Sequence, residues 1–483
     1  LKIQIIIENA YWARIPIISN ELARQLDDFL SVKCLNAIWS QAYKNRIWDG
    51  KKHFFSLKTN RFLQCLSPFV ADFLSENGCE VSIKSNCELI MPQFHESEIP
   101  KDIQLRDYQK DCILSCLNNG NGLIKSPTSS GKTVIFSTLI KLYNTKTLVL
   151  VHRKNLAEQL YARLSEWGID CDLIHSESDV EYQNHQVCIL LVQSSDKITN
   201  YSDYKLVIVD EIHTAVAKSY ESVIKKCTNA YNKFGFSATF HSPKSVEYLT
   251  LIGQYGKLLY ELKVSELLDR DEKVLAEPTI VMVRNRSEKS IIDKQNEDKL
   301  DSANAWTAVE NRVYVYNVYR NMLIVSLVKK HTNDKVFILV RRKDHGEFLS
   351  KILHTPYLCG ETPLSERKEM IADFESGKSK ILLGNEQVLG VGIDIRGGFA
   401  VMINASGSKT DIPVIQKIGR ALRMNKEGAV TVYDFYDDDS NTISHSQERV
   451  EIYKETFGKN RVSVVDIDSN GQLYDVVKNI INN

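Results

Sequence analysis

Over the first hundred residues, short apolar stretches alternate with polar turns. Ile3–Ile7 and Tyr11–Ile18 read as strands, and Glu21–Phe29 as a helix with Asn20 as its N-cap. Lys51–Leu63 reads as a hairpin turning at Lys58, Thr59 and Asn60, and Ser67–Glu76 as a second helix closed by Asn77 and Gly78. The stretch from Pro92 to Pro100, bracketed by prolines, reads as a linker. From Leu105 to about Pro278 the pattern changes. Apolar, β-branched runs at Leu123–Ile124, Thr147–Val151, Val187–Val192, Leu206–Val209 and Lys233–Ser237 alternate with amphipathic helices. A polar connection, residues 284–305, precedes a second series at Val336–Val340, Lys380–Leu383, Phe399–Ile403 and Val430–Asp434. Such alternation predicts α/β domains with parallel sheets. The expected division is a small α+β domain over 1–95, one α/β domain over 100–283, and a second over 306–483 that ends in a helical segment from about Ser444 to Phe457. The acidic run Asp437, Asp438 and Asp439 reads as a solvated turn rather than a metal site.

Composition narrows the classes. The chain has 483 residues, a prior for two to four domains. Hydrophobic residues at 43% and charged residues at 25% exclude a wholly disordered, collagen-like or membrane-embedded chain. Lys and Arg together number 61, as do Asp and Glu, so a globally basic nucleic-acid coat is excluded while local basic patches are not. The ten cysteines form no C-x-x-C pair and read as buried thiols in a reducing compartment. No apolar run reaches about 18 residues, the length a spanning helix needs. The apolar start Leu1–Ile7 is too short for a signal-peptide core and reads as a strand. A cytoplasmic protein without membrane contact is therefore expected.

Three blocks carry chemistry. Ser126–Thr133 (SPTSSGKT) follows a strand and opens a helix, the setting in which backbone N–H groups of Ser129, Ser130 and Gly131 cradle a triphosphate. Lys132 would reach the β and γ phosphates, and the Thr133 hydroxyl would bind Mg²⁺. Ser126 stands where the general pattern has glycine. Asp210 and Glu211 end an apolar strand, so that Asp210 can hold Mg²⁺ and Glu211 can activate the attacking water. In Gln416–Arg423, Arg420 and Arg423 share a helix face and could stabilise charge on a γ-phosphate as arginine fingers.

In this order and spacing the blocks resemble helicase superfamily 2, and further blocks fit that resemblance over roughly 105–424. Leu105–Gln109 resembles the upstream adenine-reading motif, with Gln109 as base contact. Leu148–Lys154 resembles motif Ia, Val192–Ser194 motif Ib, Phe337–Arg341 motif IV, and Gly390–Ile395 motif V with Asp394 near the nucleotide. Ser237–Ala238–Thr239 stands at the motif that couples hydrolysis to movement, which implies coupling roles for Ser237, Thr239 and Gln416; Gln416 occupies a position that is often His. The family resemblance implies two tandem RecA-like domains with parallel sheets, ATP and Mg²⁺ as cofactors, and a nucleic-acid strand gripped by Arg153, Gln193, Ser194, Arg341, Gly360 and Gln387.

Within the superfamily, the DEIH and LRDYQ blocks point away from typical DEAD-box RNA helicases, and the chain resembles branch-migration DNA helicases of the phage UvsW type. Trp48–Asp49–Gly50 resembles their N-terminal module, and Tyr260, Val264–Leu268 and Leu275 resemble the exit from their first motor domain. That resemblance implies DNA forks and four-way junctions as partners, a single strand within the motor, recombination or single-strand-binding proteins as accessory partners, and a host cytoplasm. The segment Gln41–Arg61 interleaves Lys44, Arg46, Lys51, Lys52, Lys58 and Arg61 with Tyr43, Trp48, Phe54 and Phe55. Such a mixture suits phosphates and stacked bases, or else a solvated face over core aromatics. Among these, Lys44, Arg46, Trp48, Lys51 and Lys52 are the expected DNA contacts. The alternatives are an RNA helicase, a double-strand translocase that does not unwind, and an ATP-switched binding or annealing module.

Overall fold

A computed structural model of the chain describes residues 1–85, 89–100, 103–128, 130–178, 185–270, 272–286, 292, 305–389, 395, 397–407, 418–419, 422 and 428–475. The chain divides into two compact units. The first spans Leu1–Pro127 and Gly131–Leu262; the second begins at Lys263 and takes in Thr128–Ser130.

The first unit opens with a small α+β domain. Its strands are β1 (Lys2–Ile7), β2 (Trp12–Arg14), β3 (Ser31–Lys33), β4 (Lys51–His53), β5 (Phe55–Ser56), β6 (Arg61–Leu63) and β7 (Glu80–Ser85). Five of them form a mixed sheet in the order β5-β6-β2-β1-β7, and β3 pairs with β4 as a separate antiparallel ribbon. The expected hairpin over Lys51–Leu63 is thus split: only β5 and β6 pair across the turn, while β4 turns back to β3. The strand expected over Tyr11–Ile18 is paired only as far as Arg14, two residues before Pro16, which has no N–H to donate. The first helix, Asn20–Phe29, is capped by Ser19 rather than Asn20; its Oγ accepts the Leu22 N–H at 3.3 Å. The helix Ser67–Glu76 forms as its pattern predicts. The proline-bracketed stretch is more than a tether, for Ile90, Phe94 and Ile99 pack on the core of the following domain.

That domain holds β8 (Gly122–Lys125), β9 (Thr147–Val151), β10 (Cys171–Ile174), β11 (Val187–Leu191), β12 (Leu206–Asp210), β13 (Asn232–Ser237) and β14 (Leu258–Glu261). All pair in parallel, in the order β10-β11-β9-β12-β13-β8-β14. The second unit holds β15 (Glu277–Asn285), β16 (Val336–Val340), β17 (Tyr357–Leu358), β18 (Ile381–Asn385), β19 (Val401–Asn404), β20 (Ala429–Asp437) and β21 (Val462–Val465), again all parallel, in the order β17-β18-β16-β19-β20-β15-β21. Counted within each domain, both sheets run third, fourth, second, fifth, sixth, first, seventh. One topology occurs twice, which is the tandem RecA-like arrangement. Helices cover the sheets, and strands such as β9 and β16 are buried throughout and, Thr147 apart, apolar.

β15 corrects the expected boundary. The expected division places residues 277–283 in the first motor domain and 284–285 in the connection after it. They are instead the first strand of the second sheet, paired with β20 from Glu277↔Ala429 to Asn285↔Asp437. The exit helix Val264–Leu268 likewise belongs to the second unit.

The N-terminal domain is built into the first motor domain. Phe62, Leu66, Val70 and Leu74 share one apolar core with Leu251 and Tyr255. Leu63 lies so close to Gly253 that an added Cβ would meet its Cδ1 at 2.5 Å. The buried Lys233 ammonium donates to the Ala10 carbonyl, the Ala10 N–H to Thr228 O at 2.9 Å, and the Tyr11 hydroxyl to Glu221 Oε1 at 3.1 Å.

In the second unit the acidic run is not a solvated turn. Asp437 is buried and accepts from Arg320 Nε at 3.0 Å; Arg449 Nε lies 3.3 Å from Asp434 and its Nη2 donates to Phe435 O at 2.6 Å. Asp439 is clamped by Arg312 at 2.6 Å. Both Arg320 and Arg449 are fully buried. Breaking such a pair strands a charge, so Arg449→Met should lower unfolding free energy by about 3–5 kcal/mol. Denaturant titration checks this; a loss under about 1 kcal/mol would show that the network is neutral.

Candidate functional site

Three adjacent strands of the first motor sheet end together. β12, β13 and β8 are neighbours, with Asp210 opposite Phe236 and Ser237 opposite Lys125. The loops that follow therefore start at one level on the carboxyl edge, where open α/β sheets place ligands.

After β8, the Ser126 N–H donates to Ser237 O at 2.9 Å, and the chain reverses at Gly131 (φ 82) into the helix Lys132–Tyr143. The left-handed φ favours glycine at 131, and a Cβ there would meet the Gln109 amide nitrogen, so that side chain would have to shift. Gln109 is buried, and its Oε1 accepts the Arg106 N–H at 3.0 Å, capping the helix Asp107–Asn119 against the loop. Lys132 Nζ reaches the carbonyls of Ser126 (3.3 Å) and Pro127 (3.4 Å), and among the described residues no carboxylate pairs with it. A cation with weak neutral partners at a helix N-terminus is a fit for phosphate. Thr133 is half-buried beside it, and Ser130 is buried.

After β12, Glu211 adopts a left-handed conformation (φ 52, ψ 52), rare for a side chain of this size. The Glu211 N–H donates to Asp210 Oδ1 at 3.0 Å. Burial, and then the neighbouring Glu211, push the Asp210 carboxyl up to about 6, with Lys132 opposing. Asp210, whose charge burial disfavours, and the adjacent Glu211 form a donor set suited to a divalent cation. Glu211 Oε2 lies 3.4 Å from both the Ser237 hydroxyl and His213 Nδ1, and His213 Nδ1 lies 2.8 Å from Ser237 Oγ. The Thr239 N–H donates to Ser237 Oγ at 3.2 Å, and His241 Nε2 contacts His213 O at 2.9 Å. Burial lowers the His213 pKa despite Glu211. The acidic pair is thus wired to Ser237 and Thr239, two of the residues expected to couple hydrolysis to movement. Sequence reasoning singles out neither His213 nor His241; the DEIH block holds the first, and nothing local marks the second.

The expected strand contacts also gather. Arg153 follows β9 and Gln193 follows the neighbouring β11; Gln193 Nε2 donates to His152 O at 3.2 Å and Arg153 Nε to His152 Nε2 at 3.3 Å. Burial, then Arg153, push His152 down to about 4, which keeps its ring neutral. Ser194 is buried, so its side chain is not part of the open surface. In the second unit, Arg341, Gly360 and Gln387 follow the adjacent strands β16, β17 and β18. Arg341 lies 3.3 Å from Glu310 and 3.8 Å from Glu386, Gly360 is exposed, and Asn385 Nδ2 donates to Arg341 O at 2.9 Å. Ser129, Asp394, Gln416, Arg420 and Arg423 lie outside the described residues.

The expected basic-aromatic segment divides. Phe54 and Phe55 are core, whereas Lys44 and Arg46 are exposed and Trp48 is half-buried, its indole N–H donating to Lys51 O at 2.7 Å. Lys51 is tied to Asp28, and the Lys52 ammonium lies over the Phe54 ring at 5.5 Å. Among the described residues, no helix is long and apolar enough to cross a membrane, and no group of three or more His, Cys, Asp or Glu could hold a metal.

Two family models match the chain: "Type III restriction enzyme, res subunit" over residues 102–242 and "Helicase conserved C-terminal domain" over 319–425. The ATP-dependent DNA helicase uvsW of Enterobacteria phage T4 is 24% identical over 86% of this chain and 86% of its own length. The Saccharomyces cerevisiae protein IRC3 is 29% identical over 66% of this chain, which spans about half (50%) of that relative's length. Among solved structures, the T4 UvsW crystal structure covers 97% of this chain and 99% of its own at TM-score 0.46 and 19% identity. S. cerevisiae Dbp5 bound to RNA and ADP BeF3 covers 79% of this chain and 95% of its own at TM-score 0.54 and 20% identity, a likeness of fold alone.

Proposed function

The chain belongs to the superfamily 2 ATP-dependent helicases, and from that premise we propose that it is a DNA motor for branched substrates, regressing forks, migrating junctions and unwinding D-loops or R-loops. What carries the reading is the N-terminal domain: its core is continuous with the first motor domain, and it exposes Lys44 and Arg46 beside Trp48. DNA held there must move with the motor half that carries the phosphate loop. The alignment with T4 uvsW, an ATP-dependent DNA helicase, over 86% of both chains supports DNA as the substrate.

In this reading Lys132 binds the β and γ phosphates of ATP, Thr133 and Asp210 hold Mg²⁺, and Gln109 reads the adenine. Mg²⁺ supplies charge neutralisation on the phosphates. Glu211 orients and deprotonates the attacking water. Ser237 and Thr239, tied to Glu211 and His213, relay the state of the site to the strand-binding edge at Arg153 and Gln193. Arg420 and Arg423 complete the hydrolytic set, with Asp394 and Gln416 in support.

The test is steady-state ATP turnover at one salt concentration with single strand, duplex, fork, four-way junction and structured RNA as separate activators. Forks and junctions should stimulate most. The double variant Lys44→Glu/Arg46→Glu should weaken fork binding and reduce the slope of log affinity against log salt by about 2. Stimulation by RNA alone would discard the branched-DNA reading, as would triplex displacement without strand separation.

A further inference from the structure

Between β3 and β4 the N-terminal domain makes an excursion, Cys34 to Gly50, whose backbone is fastened and four of whose large apolar side chains face water. The Cys34 N–H donates to Gly50 O at 2.8 Å, the Ala37 N–H to Cys34 O at 3.0 Å, and the Trp48 indole to Lys51 O at 2.7 Å. Arg46 turns the chain in a left-handed conformation (φ 57), and the Tyr43 ring covers Gly50, where an added Cβ would meet it at 2.7 Å. On this scaffold Leu35 is 92% exposed, Ile47 79%, Trp39 75% and Ile38 56%. Exposed apolar side chains of this size mark an interaction site, since each is stabilised when removed from water.

The rim says what covers it. From Lys33 to Lys52 the chain carries Lys33, Lys44, Arg46, Lys51 and Lys52 against the single acid Asp49. Lys33, Lys44 and Arg46 form no ion pair among the described residues, while the nearby acids are engaged locally: Asp28 by Lys51, Asp27 and Asp49 by His53. An open depression of about 630 Å³ between Ile38, Tyr43, Ile47 and Trp48 lies beside Lys44 and Arg46, ample for a nucleobase. Lysine is depleted in protein–protein interfaces, whereas cations beside apolar and aromatic groups suit phosphates next to unstacked bases.

We propose that this excursion is a wedge for the DNA branch point. Lys44 and Arg46 hold the phosphates, and Leu35, Ile38, Trp39 and Ile47 press against the bases that part there. This rests on the branched-DNA reading above and adds the element that separates the strands.

The test uses the full chain with Trp39→Ala and, separately, Leu35→Ser/Ile47→Ser. These side chains are largely solvated, so the fold is expected to survive, as a thermal unfolding midpoint will verify. A fork carrying 2-aminopurine at its first pair should brighten when the unaltered protein binds without ATP, and that signal should be lost in both variants. The ratio of fork unwinding to single-strand-stimulated ATP turnover should fall about 10-fold or more, as loss of one stacked base implies. Wild-type brightening and unwinding in both variants would overturn the wedge. So would a wild-type dimer in sedimentation that Trp39→Ala dissociates, or anionic-vesicle binding that the variants lose while unwinding normally. If the unaltered protein shows no preference for forks, the branched-DNA reading fails first; if it prefers forks while the variants match it, the wedge alone fails.

Discussion

Replacing Glu211 by Gln is expected to cut DNA-stimulated ATP turnover by about 10²–10⁴-fold, the range for losing a general base. The substitution keeps shape and hydrogen-bonding capacity and removes only basicity. The surroundings of Glu211 fix its conformation. Its backbone is left-handed, its N–H is engaged by Asp210, and its Oε2 lies 3.4 Å from both Ser237 and His213. A structural role would show as lost stability or lost ATP affinity. A base would show as turnover lost at saturating ATP, with binding of a fluorescent ATP analogue kept within a few fold. Turnover within threefold of the unaltered protein would remove Glu211 from the mechanism.

Lys132→Ala should do more: kcat/KM for ATP should fall by about 10³-fold or beyond, since the ammonium meets phosphate charge that grows in the transition state. Among the described residues, Lys125 is no substitute. Lys132 is held by two carbonyls at 3.3 and 3.4 Å, and Lys125, at the end of the preceding strand, is paired with Glu261 at 2.8 Å. DNA affinity, read by fluorescence anisotropy without nucleotide, should stay within a few fold, because the proposed strand contacts follow other strands. Retained ATP turnover would defeat the assignment of the phosphate loop.

What is legible in the residues, and what is not, divides by distance along the chain. The phosphate loop is legible because strand, turn, glycine and helix are contiguous. The DEIH block is legible because its acids follow an apolar strand. β15 is not. Its residues 277–285 are apolar enough for any sheet, and only pairing with β20 across the whole second domain shows to which it belongs. The acidic run Asp437–Asp439 looks solvated in sequence because its partners, Arg312, Arg320 and Arg449, are far away in sequence or a helix later. The N-terminal aromatics follow the same rule. Phe54 and Phe55 go inward and Trp39 outward, and composition cannot sort them.

By itself, then, the sequence determined the residue blocks on which the proposed chemistry of the first motor domain rests and the existence of two α/β repeats, since loop conformation, helix starts and acid placement depend on neighbours a few residues away. The tertiary structure alone decided where the second repeat begins, how the N-terminal domain is welded to the first, and that the Cys34–Gly50 excursion displays its apolar side chains. Those outcomes turn on burial between segments far apart in the chain, and local periodicity carries no record of which distant surface a residue will meet.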